Sequence, residues 1–222
     1  MGENAQTRWS MDGRVGTIVI DNPPMNVLSD VNRRGILAAL DEFRAAGARA
    51  VVLTGHGDRA FCGGADLKEE ERLTPDIVDD FQRRGAEVNR ALRHFEPPVI
   101  AAINGWTMGG GLVLALWCDI RIGSTRAKLG AVGVKVGLMA SNVQLARLVP
   151  EGRARDMLLT GRALEAEEAL RVGLLSAVVA PEALMAEAAA WARMIADRPA
   201  DAVARAKRAL NAALEPALET AP

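Results

Sequence analysis

A run without any charged residue extends from Pro97 to Cys118 and constrains the fold more than any other part of the chain. Its length would suffice for a transmembrane helix. However, three consecutive glycines, Gly109 to Gly111, lie inside it, and such a sequence makes a poor lipid-facing helix. We therefore predict a buried strand over Val99–Ile103, a turn, and a buried helix that begins at the glycines of a soluble protein.

The segments on either side of this run alternate between strand and helix patterns. Strands are predicted at residues 15–20, 50–54 and 120–123, and helices from the Ser29 cap to about Ala45 and from the Thr74 cap onward. From Pro150 the pattern becomes mostly helical, with helices at about residues 181–197 and 200–214. This alternation, with helices gathered at the end, predicts an α/β core.

The charge and residue inventory excludes several classes of function. The chain has 222 residues, enough for one large domain or two small ones, and 27 Lys and Arg against 28 Asp and Glu. Since there is no basic excess, neither nucleic acid nor an anionic membrane is an expected partner. Cys62 and Cys118 suggest reduced thiols, and residues 1–10 lack the apolar core of a signal peptide. We therefore expect a cytoplasmic protein.

Motifs for nucleotides, metals and side-chain nucleophiles match poorly. Residues 55–60 loosely fit a dinucleotide fingerprint, but further glycines follow instead of a helix. His56 and His94 are isolated from each other and from the cysteines, which predicts no metal site. No serine elbow and no nucleophile–histidine arrangement occurs, which argues against a protease. With two histidines and no tyrosine, acid–base chemistry has few candidates beyond carboxylates, lysines and the backbone.

Two glycine-rich segments remain as the candidate site, at residues 60–67 and 104–111. Small residues allow the main chain to approach a ligand closely. A helix that begins at Gly110 would direct free N–H groups and its positive end at an oxyanion. Two converging N–H donors would form an oxyanion hole. The alternative is that the glycines only permit tight packing of helix against strand.

The order of these segments closely resembles the crotonase (enoyl-CoA hydratase/isomerase) superfamily. The resemblance includes residues 22–26, 60–67, 98–105, 109–111, 118–120 and 159–161 and covers nearly the whole chain. It implies a ClpP/crotonase spiral of ββα units with C-terminal helices. It also implies a core domain at residues 1–180 with the CoA site, and a helical segment at residues 181–222, shortened relative to the family. Trimers or dimers of trimers, and coenzyme A as part of the substrate with no further cofactor, are implied as well.

The resemblance also assigns roles to individual residues. It implies an oxyanion hole made by the backbone N–H groups of Ala65 and Gly110, which would stabilise the enolate of an acyl-CoA thioester. Trp106 and Gly109 match the acyl pocket. Positions that line the CoA site in the family correspond to Met25, Val27, Gly63, Ala65, Asp66 and Leu67.

The chain departs from the family's hydratases at two positions. The resemblance implies that hydratases of the family use two glutamates and that the corresponding positions here are Val113 and Gly133. Three hypotheses follow. The protein is an enzyme that uses another group, with Ser141, Asn142 or Lys135 nearest in sequence. It is a decarboxylase or thioester-processing relative. Or it is a non-catalytic CoA-ester-binding or assembly subunit. For Ser141 and Asn142 a capping role, for Lys135 solvent or a CoA phosphate, and for Glu69 to Glu71 a solvated helix face are the alternatives to catalysis.

Overall fold

The computed structural model describes residues 2–66, 75–137 and 144–214. In chain order the strands are β1 (Gly2–Asn4), β2 (Thr7–Asp12), β3 (Val15–Ile20), β4 (Ala50–Gly55), β5 (Ala60–Cys62), β6 (Val99–Ile103), β7 (Trp106–Met108), β8 (Ile120–Ser124), β9 (Lys128–Gly130), β10 (Ala163–Glu165) and β11 (Ala177–Val179). The helices are α1 (Asp30–Ala45), α2 (Pro75–His94), α3 (Gly110–Trp117), α4 (Leu145–Leu148), α5 (Glu151–Thr160), α6 (Ala166–Arg171), α7 (Leu184–Ala196) and α8 (Ala200–Leu214). Short 3₁₀ helices span Val132–Val136 and Pro181–Ala183.

The uncharged run folds as its glycines predict. It forms β6 and, after a turn, the eight-residue helix α3, which starts at Gly110. All five residues of β6 and most of α3 are buried. Within the described ranges, no helix is long and apolar enough to cross a lipid bilayer.

The larger sheet has seven strands in the order β1-β2-β3-β4-β6-β8-β11. β1 to β3 pair antiparallel, and β3, β4, β6, β8 and β11 pair parallel. Parallel strands need crossover connections, and α1 supplies the crossover from β3 to β4. Ser29 caps α1 by accepting a hydrogen bond from the Asn32 N–H, which confirms the expected start of this helix.

Helices cover both faces of the larger sheet. On one face α1 buries Ile36, Leu40 and Phe43 in the main core. On the other face α7 buries a stripe of small residues against alternate residues of β4, β6 and β8. Because side chains alternate along a strand, the apolar residues of β4 and β6 pack into both layers.

A second sheet of four short strands, in the order β10-β9-β7-β5, was not predicted from the sequence. Each of its strands has three residues, too few to show a periodic pattern. The predicted turn between Ile103 and the glycines therefore contains strand β7, and the first glycine-rich segment itself begins as strand β5. This sheet brings the two glycine-rich segments together.

A buried ion pair anchors α8 to the core. Lys207 Nζ lies 2.7 Å from Asp119 Oδ2, and the same oxygen accepts a hydrogen bond from the Val99 N–H. The Lys207 ammonium also donates to the carbonyl groups of Leu92 and Pro97. Burial lowers the pKa of Lys207, while the Asp119 charge raises it.

We expect Asp119→Ala to lower the free energy of unfolding by about 3 kcal/mol, because it leaves the buried Lys207 cation unpaired. Without Asp119 the pKa of Lys207 falls further. The unfolded chain then binds more protons than the folded one, so the deficit shrinks as the pH rises toward the ordinary lysine range. Urea unfolding at neutral and alkaline pH measures this, with Asp119→Ala/Lys207→Met as the control that removes both charges. A deficit independent of pH contradicts the explanation.

Candidate functional site

The parallel pairing of β5 with β7 builds the candidate site. Ala60 pairs with Trp106 and Cys62 with Thr107, so the two segments that follow β5 and β7 leave the sheet at the same edge. The first continues into Gly63, Gly64 and Ala65, and the second into the triple glycine. The convergence expected of the two segments is therefore a direct result of strand register.

A third segment, residues 25–28, closes the other side. The Gly63 N–H donates to the Met25 carbonyl at 2.7 Å, and the Leu28 N–H donates to the Gly64 carbonyl at 2.7 Å. Leu28 and Ala65 form an isolated parallel bridge. The segment that carries Met25 and Val27 is thus held by main-chain bonds against the segment that carries Gly63 and Ala65.

Two asparagines that the sequence analysis did not single out anchor the turn before β5. Asn104 donates from Nδ2 to the carbonyl groups of Gly55, Gly57 and Ala60, at 2.8 to 3.1 Å. Asn26 donates to His56 and Ala60. Both side chains are buried. The one sequence signal for these two residues was their position, since they lie directly beside the glycine-rich and proline-rich motifs.

The backbone N–H groups of Ala65 and Gly110, here called the donor pair, are neighbours in space. A β-carbon built on Gly110 would lie 3.4 Å from the Ala65 nitrogen. Gly110 is the first residue of α3, where N–H groups have no acceptor inside the helix. Outside the helices and strands, the backbone hydrogen bonds between described residues include none donated by either group. The N-terminal end of a helix favours negative charge beside it.

The glycines next to Gly110 have distinct structural requirements. Gly109 adopts a φ of 50°, which disfavours other residues, and its N–H donates to the Gly130 carbonyl at 2.9 Å. A β-carbon on Gly111 would lie 2.1 Å from the Cys62 carbonyl oxygen. Tight helix–strand packing is thus a real function of Gly111, whereas Gly110 contributes to the donor pair.

We expect Gly111→Ala to lower the free energy of unfolding by about 1–3 kcal/mol or more, because α3 must move away from β5 to admit the methyl group. Gly85→Ala in α2 is the matched control, since a β-carbon there meets no atom within 4 Å. Alanine raises helix propensity, so this control is expected to be neutral or stabilising. Urea unfolding of both variants measures the difference; equal stability would show that the contact relaxes without cost.

Cys62 lies beside the donor pair but is not a nucleophile in this setting. It is fully buried, and its Sγ donates to the Gly64 carbonyl over 3.8 Å. Burial raises the pKa of the Cys62 thiol to about 11. The thiol therefore stays protonated at neutral pH, and thiolate chemistry is not available. Cys118 is likewise buried and free, with its pKa raised to about 12 by burial.

The remaining candidate residues fall into different surroundings. Val113 is buried in α3, one turn after Gly109, whose carbonyl accepts its N–H. Gly133 lies in the 3₁₀ helix after β9. Trp106 is 44% exposed, and Lys128 Nζ lies over its ring, 5.3 Å from the ring centroid. Lys135 is exposed and lies over Gly161.

The structure thus brings Met25, Gly63, Ala65, Gly109 and Gly110 together, with Val27 and Asp66 directly adjoining in the chain. Leu67, Glu69 to Glu71, Ser141, Asn142 and the Thr74 cap lie outside the described residues. Among the residues that are described, no three His, Cys, Asp or Glu side chains cluster in a way that would hold a metal ion.

Comparisons with known proteins show the family of this chain. The sequence model of the family described as "Enoyl-CoA hydratase/isomerase" matches residues 10–221. The chain belongs to the enoyl-CoA hydratase/isomerase family. A "Probable enoyl-CoA hydratase" of Rhizobium meliloti is 38% identical over 207 residues, which cover 91% of this chain and 80% of that protein. The "Short-chain-enoyl-CoA hydratase" of Clostridium acetobutylicum is 34% identical over 215 residues, covering 95% and 82% of the two chains.

Solved structures at more than 30% identity show the same fold. The enoyl-CoA hydratase of Bacillus anthracis superposes with a TM-score of 0.88 at 32% identity and covers 93% of this chain and 82% of its own. DspI of Pseudomonas aeruginosa superposes with a TM-score of 0.92 at 32% identity, covering 97% and 84% of the two chains. The expected crotonase fold is therefore confirmed for this member of the family.

Proposed function

We propose that this protein binds an acyl-CoA thioester and polarises its carbonyl group with the donor pair. The observation that carries the proposal is the adjacency of the two N–H groups, with the Gly110 β-carbon position 3.4 Å from the Ala65 nitrogen. Names of relatives such as the short-chain-enoyl-CoA hydratase support an acyl-CoA substrate. Met25, Val27, Gly63, Asp66 and Leu67 are proposed to contact the CoA part.

The chemistry of this site depends on charge that develops on the thioester oxygen. When a bond at the α-carbon breaks and leaves its electron pair behind, an enolate forms and its negative charge moves to oxygen. Two N–H groups already directed at that oxygen stabilise the enolate without reorganising. Each such donor contributes about 3–4 kcal/mol to the transition state. The site therefore needs few side chains, in agreement with the scarcity of histidine and the lack of tyrosine.

The residues at positions 113 and 133 favour a second candidate, decarboxylation. We propose that Val113 and Gly133 stand where hydratases of the family carry their two glutamates. Val113 presents a buried apolar side chain, and Gly133 has none. Loss of CO₂ from a malonyl-type thioester breaks the bond between the carboxylate and the α-carbon, and its electron pair forms the enolate. Water then returns a proton to carbon, so no glutamate is required.

The experiment is a screen of crotonyl-CoA, malonyl-type CoA esters and a saturated acyl-CoA, with products and binding followed by mass spectrometry. Decarboxylation without hydration supports the second candidate. Hydration of crotonyl-CoA at rates usual for the family contradicts the role given to positions 113 and 133. Binding without any turnover supports the non-catalytic alternative. Failure of every CoA ester to bind excludes the proposed function. Native mass spectrometry of the same samples tests the predicted homotrimer or dimer of trimers.

A further inference from the structure

A cavity lies at the end of α3 opposite to the donor pair, between the core and the helices α7 and α8. It has a volume of about 520 Å³, in the range of small-molecule sites. We call it the α7–α8 groove; its apolar wall includes Leu116, Ile120, Leu148, Ile195, Val203 and Leu210. Leu116 lies six residues after Gly110, about 9 Å along the helix axis. The groove is therefore separate from the donor pair.

Two of the side chains that line the groove carry buried polar atoms with no hydrogen-bond partner in the described part of the chain. Gln144 is only 5% exposed and lines the groove. Neither its amide oxygen nor its amide nitrogen has a hydrogen-bond partner within the described part of the chain. Burying an amide without hydrogen bonds costs free energy, so such a group is rarely left unsatisfied. Arg93 also lines the groove, and its buried Nε has no hydrogen-bond partner among the described residues.

The charges around the groove are predominantly positive. Five cationic residues line it, namely Arg93, Arg121, Arg147, Arg198 and Lys207. Asp119 is the one carboxylate among the described lining residues, and its Oδ2 is already bonded to Lys207 and to the Val99 N–H. Because the chain as a whole is almost neutral, this excess of positive charge is local. A buried guanidinium N–H with no acceptor favours an anion at this place.

We propose that the α7–α8 groove binds an amphiphile, an apolar chain that ends in a carboxylate. The apolar wall takes the chain, while Arg93 and the Gln144 amide hold the carboxylate. An uncharged chain would leave the Arg93 Nε unsatisfied, and a cationic amphiphile would be repelled by the surrounding arginines. The proposal is independent of the reaction at the donor pair.

The test is calorimetric titration of the full chain, freed of carried-over lipid, with dodecanoate below its micelle concentration. Dodecan-1-ol and dodecyltrimethylammonium are the neutral and cationic probes of equal chain length. We expect saturable binding of one dodecanoate per chain, with an affinity at least about ten-fold higher than that of the alcohol and no binding of the cation.

Variants separate this site from adventitious binding. Ala206→Trp places a large ring on the exposed rim of the groove and is expected to abolish binding, while Ala209→Trp, exposed on the same helix but off the groove, leaves it unchanged. Gln144→Leu and Arg93→Leu are expected to weaken dodecanoate binding about ten-fold. Circular dichroism and thermal unfolding show whether each variant folds.

Three results would overturn the proposal. The first is absence of saturable dodecanoate binding to the wild-type chain. The second is equal binding of the alcohol, or equal binding by the folded Ala206→Trp and Ala209→Trp variants. The third is closure of the groove by a second copy, seen as an oligomer in light scattering that dissociates in Ala206→Trp and excludes dodecanoate. Crosslinking by a photoreactive fatty acid, mapped to peptides from α7 and α8, provides a readout that does not depend on any variant.

Discussion

Gly110→Pro is expected to lower kcat by about 10²–10³-fold on any CoA ester that the wild-type protein turns over, while the fold is retained. The imide nitrogen of proline carries no hydrogen, so one member of the donor pair is lost. Proline is well tolerated at the first position of a helix, which is the position that Gly110 occupies in α3. The loss of rate is therefore expected without a matching loss of stability.

Glu151→Pro is the matched control, because Glu151 is the first residue of α5 and is exposed. It introduces the same ring at the same helical position far along the chain from the donor pair, and we expect it to keep full activity. Steady-state kinetics, with thermal unfolding of both variants, makes the comparison. A Gly110→Pro protein that is folded and as active as Glu151→Pro would exclude a role for the Gly110 N–H.

The double variant Val113→Glu/Gly133→Glu is expected to raise the rate of crotonyl-CoA hydration by about 10²-fold or more. If these positions correspond to the hydratase glutamates, one carboxylate would activate water and the other would handle the α-carbon proton. Burial at position 113 raises the pKa of a carboxyl group toward the neutral range, which suits proton transfer. The hydration rate at several pH values, followed by loss of the enoyl absorbance, is the measurement.

Val113→Gln/Gly133→Gln is the control for this gain, since glutamine has nearly the size of glutamate but cannot transfer a proton. We expect no increase in hydration for the glutamine pair. If both double variants fold, bind crotonyl-CoA and hydrate it equally slowly, positions 113 and 133 do not face the reacting carbon, and the proposed correspondence is wrong.

The long elements of the fold were accessible from the sequence because each carries its own signal. Val15–Ile20 is bounded by turn residues, Ser29 caps α1, and the apolar residues of α1 recur at helical spacing. Strands β5, β7, β9 and β10 carry no such signal. They are three residues long and are defined by pairing with distant segments, which no local pattern records.

The backbone of the candidate site could be predicted from the sequence, but the side chains that hold this backbone in place could not. Glycine clusters marked where main chains approach, and the family resemblance assigned Ala65 and Gly110. The roles of Asn26 and Asn104 were not visible, because each amide binds carbonyl groups more than 25 residues away in the chain. The α7–α8 groove was also hidden, since it is assembled from six helices and strands that a linear pattern does not bring together.

Because the donor pair belongs to the main chain, it limits how the sequence of this site can evolve. Neither donor belongs to a side chain, so most point mutations at Ala65 or Gly110 leave the N–H in place, and proline alone deletes it. Its position depends instead on the number of residues from Cys62 to Ala65 and from Met108 to Gly110, which the β5–β7 register sets. We therefore expect exchange among small residues to be tolerated here. A bulky side chain at position 110, which would lie against the Ala65 nitrogen, and a single-residue insertion or deletion in either interval are expected to be eliminated by selection.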